Sequence, residues 1–331
     1  MSRSSLAQKS IVTLIAVAFL GFYSCKQSPK KESTEETTEA MVQEEPGPEI
    51  KLSLAQWSIH KMILEEGTDP YTFAEKANEW GFKGLEYVSA LYYKELQAAD
   101  FSEEAMNSWV EKSKAESEKY GLKNLLIMVD GQGDIAVPDE AKRKEAVENH
   151  YKWVDAAAAL GCHSIRVNLN GSMDPEVWMP ASVAGLTQLA TYAKDKNINI
   201  IVENHGGPSS NAEMLAEVME KVGMDNCGTL PDFGNFCIKR EAGDYYSSKC
   251  LEEYDKYKGV KELMPYAKGV SAKSYNFNEE GYETVIDYPK MMDIVLESGY
   301  EGFVGVEYEG SELSEEEGIL ATKQLLEKVL E

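Results

Sequence analysis

From residue 50 onward, short apolar runs alternate with longer stretches in which apolar residues recur every three or four positions. The short runs lie at 51–57, 84–88, 123–129, 164–168, 199–203, 227–232, 269–273 and 303–308. They read as strands buried on both faces. The clearest longer stretches, 70–80, 103–120, 141–160, 180–194 and 212–222, read as amphipathic helices. Gly81, Gly121, Gly161 and Gly223 each close a helix ahead of the next strand, where a left-handed C-cap favours glycine. Eight such strand–helix units in about 280 residues fit a closed barrel. An open doubly wound sheet is the alternative, but no Gly-rich phosphate fingerprint follows the first strand. The expected fold is α/β, a single (β/α)8 TIM barrel over residues 49–331.

Three of the apolar runs end abruptly in a carboxylate followed by Gly or Asn. They are Ile-Val-Glu-Asn-His-Gly-Gly around Glu203, Leu-Pro-Asp-Phe-Gly-Asn around Asp232, and Val-Gly-Val-Glu-Tyr-Glu-Gly around Glu307. A buried carboxylate is costly unless it is paired or bound to a cation. Strand C-terminal ends converge on one mouth of a barrel, which gathers Glu86, Glu203, Asp232, Lys273 and Glu307. Such a cluster points to a shared cation or to shared acid–base work.

The order and strand positions of these motifs resemble the xylose-isomerase-like barrel superfamily, also described as sugar phosphate isomerase/epimerase or AP-endonuclease-2-like. The resemblance covers the whole of residues 50–331. It implies a divalent metal, Mn²⁺ or Mg²⁺, held by hard oxygen donors at strand ends, and proton transfer beside a sugar carbonyl. Carried over by position, Glu203, Asp232 and Glu307 are metal ligands, and Glu203, Glu307 and Lys273 are catalytic. The seventh strand departs from the family pattern. Where His-x-Lys-Asp is expected, the chain has Ser271-Ala272-Lys273-Ser274. Ser271 and Lys273, two apart on a strand, share a face.

Two arrangements follow. Either three carboxylates hold the metal, with water, Ser271 or His205 filling the gap, or the Lys273 ammonium balances the carboxylates without it. A slip of two residues would exchange Glu307 and Glu309. The substrate-binding candidates are His205, Glu86, Arg166, Asn168, Asn235 and Trp57. Arg166 could instead pack against a carboxylate inside the barrel, and Glu86 could be a satisfied barrel carboxylate. His60 could line the mouth, His163 is expected at the opposite face, and His150 on an exposed helix. Trp57, Tyr87, Tyr275, Phe277 and Tyr308 at strand ends suggest a platform for a sugar ring.

The expected function is a sugar isomerase or epimerase, with a lyase outcome open if the sugar is oxidised. The alternative is a non-catalytic carbohydrate-binding protein. A formal charge of −24 argues against nucleic acid as a partner, and four histidines are few for a multi-metal nuclease.

The amino terminus adds an address. Arg3 and Lys9 precede an apolar stretch, 11–23, which is shorter than the roughly 20 residues a membrane span needs. Basic end, apolar middle and small residue are the layout of a secretory signal. Ser24-Cys25 resembles a lipobox, so residues 1–24 are expected to be cleaved and Cys25 to carry lipid. Residues 25–48, rich in Lys, Glu, Ser, Thr and Pro, read as a disordered tether. The protein is therefore expected at the cell envelope, joined to the membrane through lipid alone. Of the remaining cysteines, Cys162 and Cys227 read as core thiols. Cys237 and Cys250 could form a bridge across a loop.

Overall fold

Eight short runs of β-branched and aliphatic residues build a parallel sheet that curls until its edges meet. In this computed structural model the described residues are 49–331. The signal segment 1–24, the tether 25–48 and Cys25 lie outside them. The strands are β1 (Ile50–Ala55), β2 (Gly84–Val88), β3 (Lys123–Met128), β4 (Ser164–Val167), β5 (Asn199–Glu203), β6 (Cys227–Leu230), β9 (Val270–Ser274) and β10 (Gly302–Tyr308). Two further strands, β7 (Cys237–Arg240) and β8 (Cys250–Glu253), form a separate antiparallel hairpin. Hydrogen-bonded order runs β6-β5-β4-β3-β2-β1-β10-β9, all neighbours parallel.

Closure between β6 and β9 comes from two parallel bridges, Thr229 with Ala267 and Asp232 with Ser271. Across this seam the Ser271 amide donates to Pro231 O at 2.9 Å, and the Phe233 amide donates to Ser271 O at 3.1 Å. The barrel is therefore joined where Asp232 and Ser271 stand side by side.

Helices cover the outside. The long ones are Glu103–Tyr120, Glu140–Leu160, Pro175–Lys194, Ala212–Val222 and Glu315–Leu330. Gly81, Gly121, Gly161 and Gly223 all adopt positive φ at helix ends. The helix expected to begin at Pro180 starts one turn and more earlier. Asp174 caps it by accepting from the Glu176 amide, and Pro175 takes the first position, where its missing N–H costs nothing. No helix among the described residues is long and apolar enough to cross a membrane.

Alternation along the strands sends Leu54, Leu85, Val304 and Val306, all fully buried, toward the helices. The residues between them face a lumen that is unusually polar, with Ser53, Glu86, Arg166, Glu203, Lys273 and Glu307 all buried. Glu86 does not reach the mouth, because β2 continues to Val88 and leaves its carboxyl midway down the barrel. It fills the gap over Gly305, where an added Cβ would lie 2.4 Å from Glu86 Oε1. Its Oε1 accepts from Ser53 Oγ at 2.6 Å, while Oε2 is buried without a partner. Glu86 also lines a cavity of about 660 Å³ at the opposite end, alongside Lys123, His163 and Lys268. His163 is thus on the face expected of it. His150, expected on an exposed surface, is buried, with Nδ1 2.7 Å from Ala146 O.

Burial pushes the Glu86 carboxyl up to about 8, with Ser53 opposing and Glu307 and Glu203 adding to the rise. Because the folded state then holds the proton more tightly than the unfolded chain, this contribution is fully present below about pH 4.3. It is lost as pH rises toward 8. Glu86→Gln should therefore raise stability at pH 8 by an amount on the order of a few kcal/mol, with little gain at pH 4. Urea titrations at both pH values check this; equal effects at the two would refute it.

Candidate active site

The carboxylates of Glu203, Asp232 and Glu307 converge at the C-terminal end of the barrel, each offering an oxygen within 4.8 Å of the others. All three are buried. Glu203 ends β5 and Glu307 lies near the end of β10, while Asp232 sits on the seam just past β6. Asp232 is held from several sides. Its Oδ1 accepts from the amides of Gly234 at 2.8 Å and Asn235 at 2.7 Å. Its own amide donates to Asn204 Oδ1 at 2.8 Å, and Asn204 Nδ2 returns a bond to Asp232 O at 3.0 Å. Asn235 Nδ2 donates to Glu203 Oε1 at 2.8 Å.

Two buried cations offset the charge. Arg166 places Nε 3.0 Å from Glu203 Oε2, a charge contact without hydrogen-bond alignment, and its Nη1 2.8 Å from Asp130 Oδ1. Lys273 Nζ lies 3.3 Å from Glu307 Oε2, 3.9 Å from Asp232 Oδ2 and 3.1 Å from Glu309 Oε2. Ser271 Oγ contacts both Asp232 Oδ2 and Glu307 Oε2 at 2.8 Å. Glu307 and Glu309 thus both serve Lys273, and only Glu307 belongs to the triad.

Burial drives both Glu203 and Asp232 above the ordinary carboxylate range. Arg166 opposes the rise at Glu203, and Lys273 opposes it at Asp232. For Glu309, burial is outweighed by Lys273, and the carboxyl ends below its usual value. His205 falls to about 4 because burial and the charges of Arg166 and Lys273 disfavour imidazolium.

Above the triad is a cavity of about 490 Å³, whose lining includes Trp57, Asp130, His205, Tyr246, Glu307 and Glu309. Arg166, Asn235 and Tyr275 also contribute. Glu203 and Asp232 lie behind this surface. Asn168 holds Asp130 rather than facing the cavity, its Nδ2 donating to Asp130 Oδ1 at 2.8 Å. His60 stacks on the back of Trp57 with ring centroids 4.4 Å apart. Tyr87 packs among Phe73 and Trp109, and Tyr308 is buried, so neither joins a sugar platform.

Three contributors were not singled out from sequence. Asp130 follows β3, and both of its partners bind Oδ1, which leaves Oδ2 free. Asn204, within the Glu203 motif, carries no role of its own in the sequence, yet it holds both backbone groups of Asp232. Tyr246, on the loop between β7 and β8, lies 4.6 Å from the His205 ring and donates to Asn170 Oδ1 at 2.9 Å. That loop is held by a Cys237–Cys250 disulfide, while Cys162 and Cys227 are free and buried. It presses so closely that a Cβ on Gly206, at φ 86°, would meet Tyr245 O at 2.4 Å.

Five carboxylates, Asp130, Glu203, Asp232, Glu307 and Glu309, thus face two cations. The surplus of hard oxygen donors, including Glu203 Oε2, which has a charge contact with Arg166 but no hydrogen bond, fits a divalent cation. Fold and site together define a TIM barrel with an acidic centre at its C-terminal mouth. The chain belongs to the family of xylose isomerase-like TIM barrels, whose model matches residues 74–329. No curated protein matches by sequence. Among solved structures, the chain is similar in fold to the IOLI protein, whose structure contains a zinc atom. The two are 18% identical with TM-score 0.62, covering 85% of this chain and 98% of that one. It is similar to 3-keto-D-glucoside 4-epimerase from E. coli at 13% identity and TM-score 0.62, covering 85% and 100%. It is also similar to D-psicose 3-epimerase from Clostridium cellulolyticum H10 at 15% identity and TM-score 0.61, covering 85% and 99%.

Replacing Asn204 by Ala strips the Asp232 amide and carbonyl of their buried partner. A loss of about 2–3 kcal/mol in unfolding free energy is expected. Denaturant titration measures it, and a change below about 0.5 kcal/mol would show that Asn204 does not anchor the seam.

Proposed function

We propose that the protein is a sugar isomerase or epimerase that moves a proton beside a substrate carbonyl at the Glu203–Asp232–Glu307 centre. The convergence of these three carboxylates beneath an aromatic-walled cavity carries the reading. Glu203, Asp232 and Glu307 would hold the divalent cation, Mn²⁺ or Mg²⁺. When bound, that ion supplies Lewis-acid polarisation of the carbonyl and stabilises developing negative charge on its oxygen.

The remaining work belongs to side chains. Glu307, which faces the cavity, and Glu203, held behind Asn235, are the acid–base pair, with Glu307 the one nearer the substrate. Elevation of the Glu203 carboxyl by burial suits it to take a proton near neutral pH. Lys273 presents a second positive charge to the same oxygen. Trp57 and Tyr246 offer aromatic surfaces to the sugar, while Asp130, with one free oxygen, and Asn235 accept or donate to hydroxyls. A lyase outcome follows where the carbon beside the carbanion carries a leaving group.

Lys273 and Ser271 on the triad oxygens favour a second reading, a carbohydrate-binding protein that needs no metal. On the sequence of its first 48 residues, we place the protein at the bacterial cell envelope, anchored through lipid on Cys25.

The discriminating measurement is proton NMR in deuterated water with D-tagatose, D-fructose and a 3-keto-glucoside, with and without Mn²⁺. Metal-dependent deuterium incorporation beside the carbonyl is expected, falling at least about a thousandfold in Glu203→Gln as for loss of an acid–base group. Sugar binding with no exchange under any metal condition would leave the binding-protein reading in its place. For the anchor, Cys25→Ser should move the protein from the detergent phase to the aqueous phase in Triton X-114 partitioning. Unchanged partitioning would refute it.

A further inference from the structure

Lys273 stands between two sets of carboxylates. On the triad side its Nζ is 3.3 Å from Glu307 Oε2 and 3.9 Å from Asp232 Oδ2; on the cavity side it is 3.1 Å from Glu309 Oε2. The lysine is buried to 1% exposure, whereas the Glu309 side chain keeps 29%. The two triad oxygens nearest the ammonium are also the two that Ser271 Oγ contacts. The corner of the site toward β9 therefore already holds a positive charge and a hydroxyl. A divalent ion among the same oxygens would repel that ammonium at short range in a medium that screens poorly. The ammonium cannot simply leave, because the side chain is enclosed. Its flexible four-carbon stem can draw the charge off the triad while keeping the contact with Glu309, already the shortest of the three at 3.1 Å.

We propose that Lys273 is a built-in competitor for the cation at Glu203, Asp232 and Glu307, and that Glu309, already its nearest carboxylate, is the positioning residue that keeps its ammonium when the ion takes over the triad oxygens. The proposal rests on the metal reading of the triad and goes beyond it, since it makes ion affinity depend on a residue pair outside the ligands. Without the ion, Lys273 divides its charge between the triad and Glu309. With it, the Lys273–Glu309 pair carries the displaced charge at the cavity floor.

Calorimetric titration of Mn²⁺ into the metal-stripped full chain tests this, using wild type, Lys273→Met, Glu309→Gln and the double variant. Lys273→Met should tighten binding by about tenfold or more, and Glu309→Gln should weaken it by a similar factor. In the Lys273→Met background, Glu309→Gln should change the affinity by less than about twofold, because its effect runs through the lysine. Equal weakening in both backgrounds would reduce Glu309 to a plain negative charge and overturn its role. Binding by wild type that Lys273→Met leaves unchanged or weakens would overturn the competitor while leaving the triad reading intact. Binding by Lys273→Met alone supports competition in its strongest form. No binding by any folded variant would sink the triad reading and this proposal together. If Lys273→Met does not fold, Lys273→Gln replaces it. Should that fail too, unchanged affinity in Glu309→Gln would refute the proposal and weakening would support it.

Discussion

Burying negative charge is the constraint on which this barrel depends. Its lumen and mouth hold more carboxylates than cations, and each isolated one would cost several kcal/mol to keep ionised. Arg166 and Lys273 are consequently not decorations of the site but conditions for its existence. Each is buried, and each touches carboxylates from neighbouring strands. Where the two cations fall short, the charge is reduced in another way. Glu86, with one oxygen unpartnered, keeps its proton to about pH 8. A divalent ion at the triad would be the remaining means of balancing the centre.

Barrel closure and site assembly are one event. The seam runs through Asp232 and Ser271, so the backbone bonds that join the sheet's edges also bring a triad carboxylate to the residue that bridges it to Glu307. Asn204 ties the adjacent strand end to the same place by satisfying both backbone groups of Asp232. The β7–β8 hairpin then roofs the β5 loop, and only a glycine at 206 allows the approach. Rigid strands set the carboxylates; a disulfide-held loop sets one wall of the cavity above them.

Much of this was written in the local pattern. The eight strands, the glycine C-caps and the three carboxylates at strand ends all follow from periodicity and from the abrupt change of polarity after Val202, Pro231 and Val306. Parity along β9 placed Ser271 and Lys273 on one face, and the structure puts both against the triad. What periodicity could not reach are relations across the barrel. Asp130 occupies an ordinary Asp-Gly turn in the sequence, and its role depends on Arg166, 36 residues on in the next strand. Glu86 reads as a strand-end residue until the depth of β2 and the hole at Gly305 are known. The β7–β8 hairpin is short and largely exposed, with no alternating apolar face to announce it. His150 looked solvated because its helix is rich in charge, yet it faces inward beside Ala146 and Val147.

Ser271 constrains how protons can be arranged on the triad. A hydroxyl carries one hydrogen, so it can donate to only one of the two carboxylate oxygens it contacts at 2.8 Å. The other contact is attractive only if that carboxyl holds a proton of its own. Asp232 is the natural holder, since burial and its acidic neighbours lift it above the ordinary range despite Lys273. Without a bound ion, one proton on Asp232 would satisfy both Ser271 contacts, with the Lys273 ammonium alongside. A hard cation entering between the same oxygens must expel that proton and take the hydroxyl's place, or accept the hydroxyl oxygen as a neutral donor. A histidine at 271 would supply a strong nitrogen ligand and leave no such hydroxyl contacts. With serine there, a cation would have to compete with a proton and the Lys273 ammonium for the same pair of carboxylates.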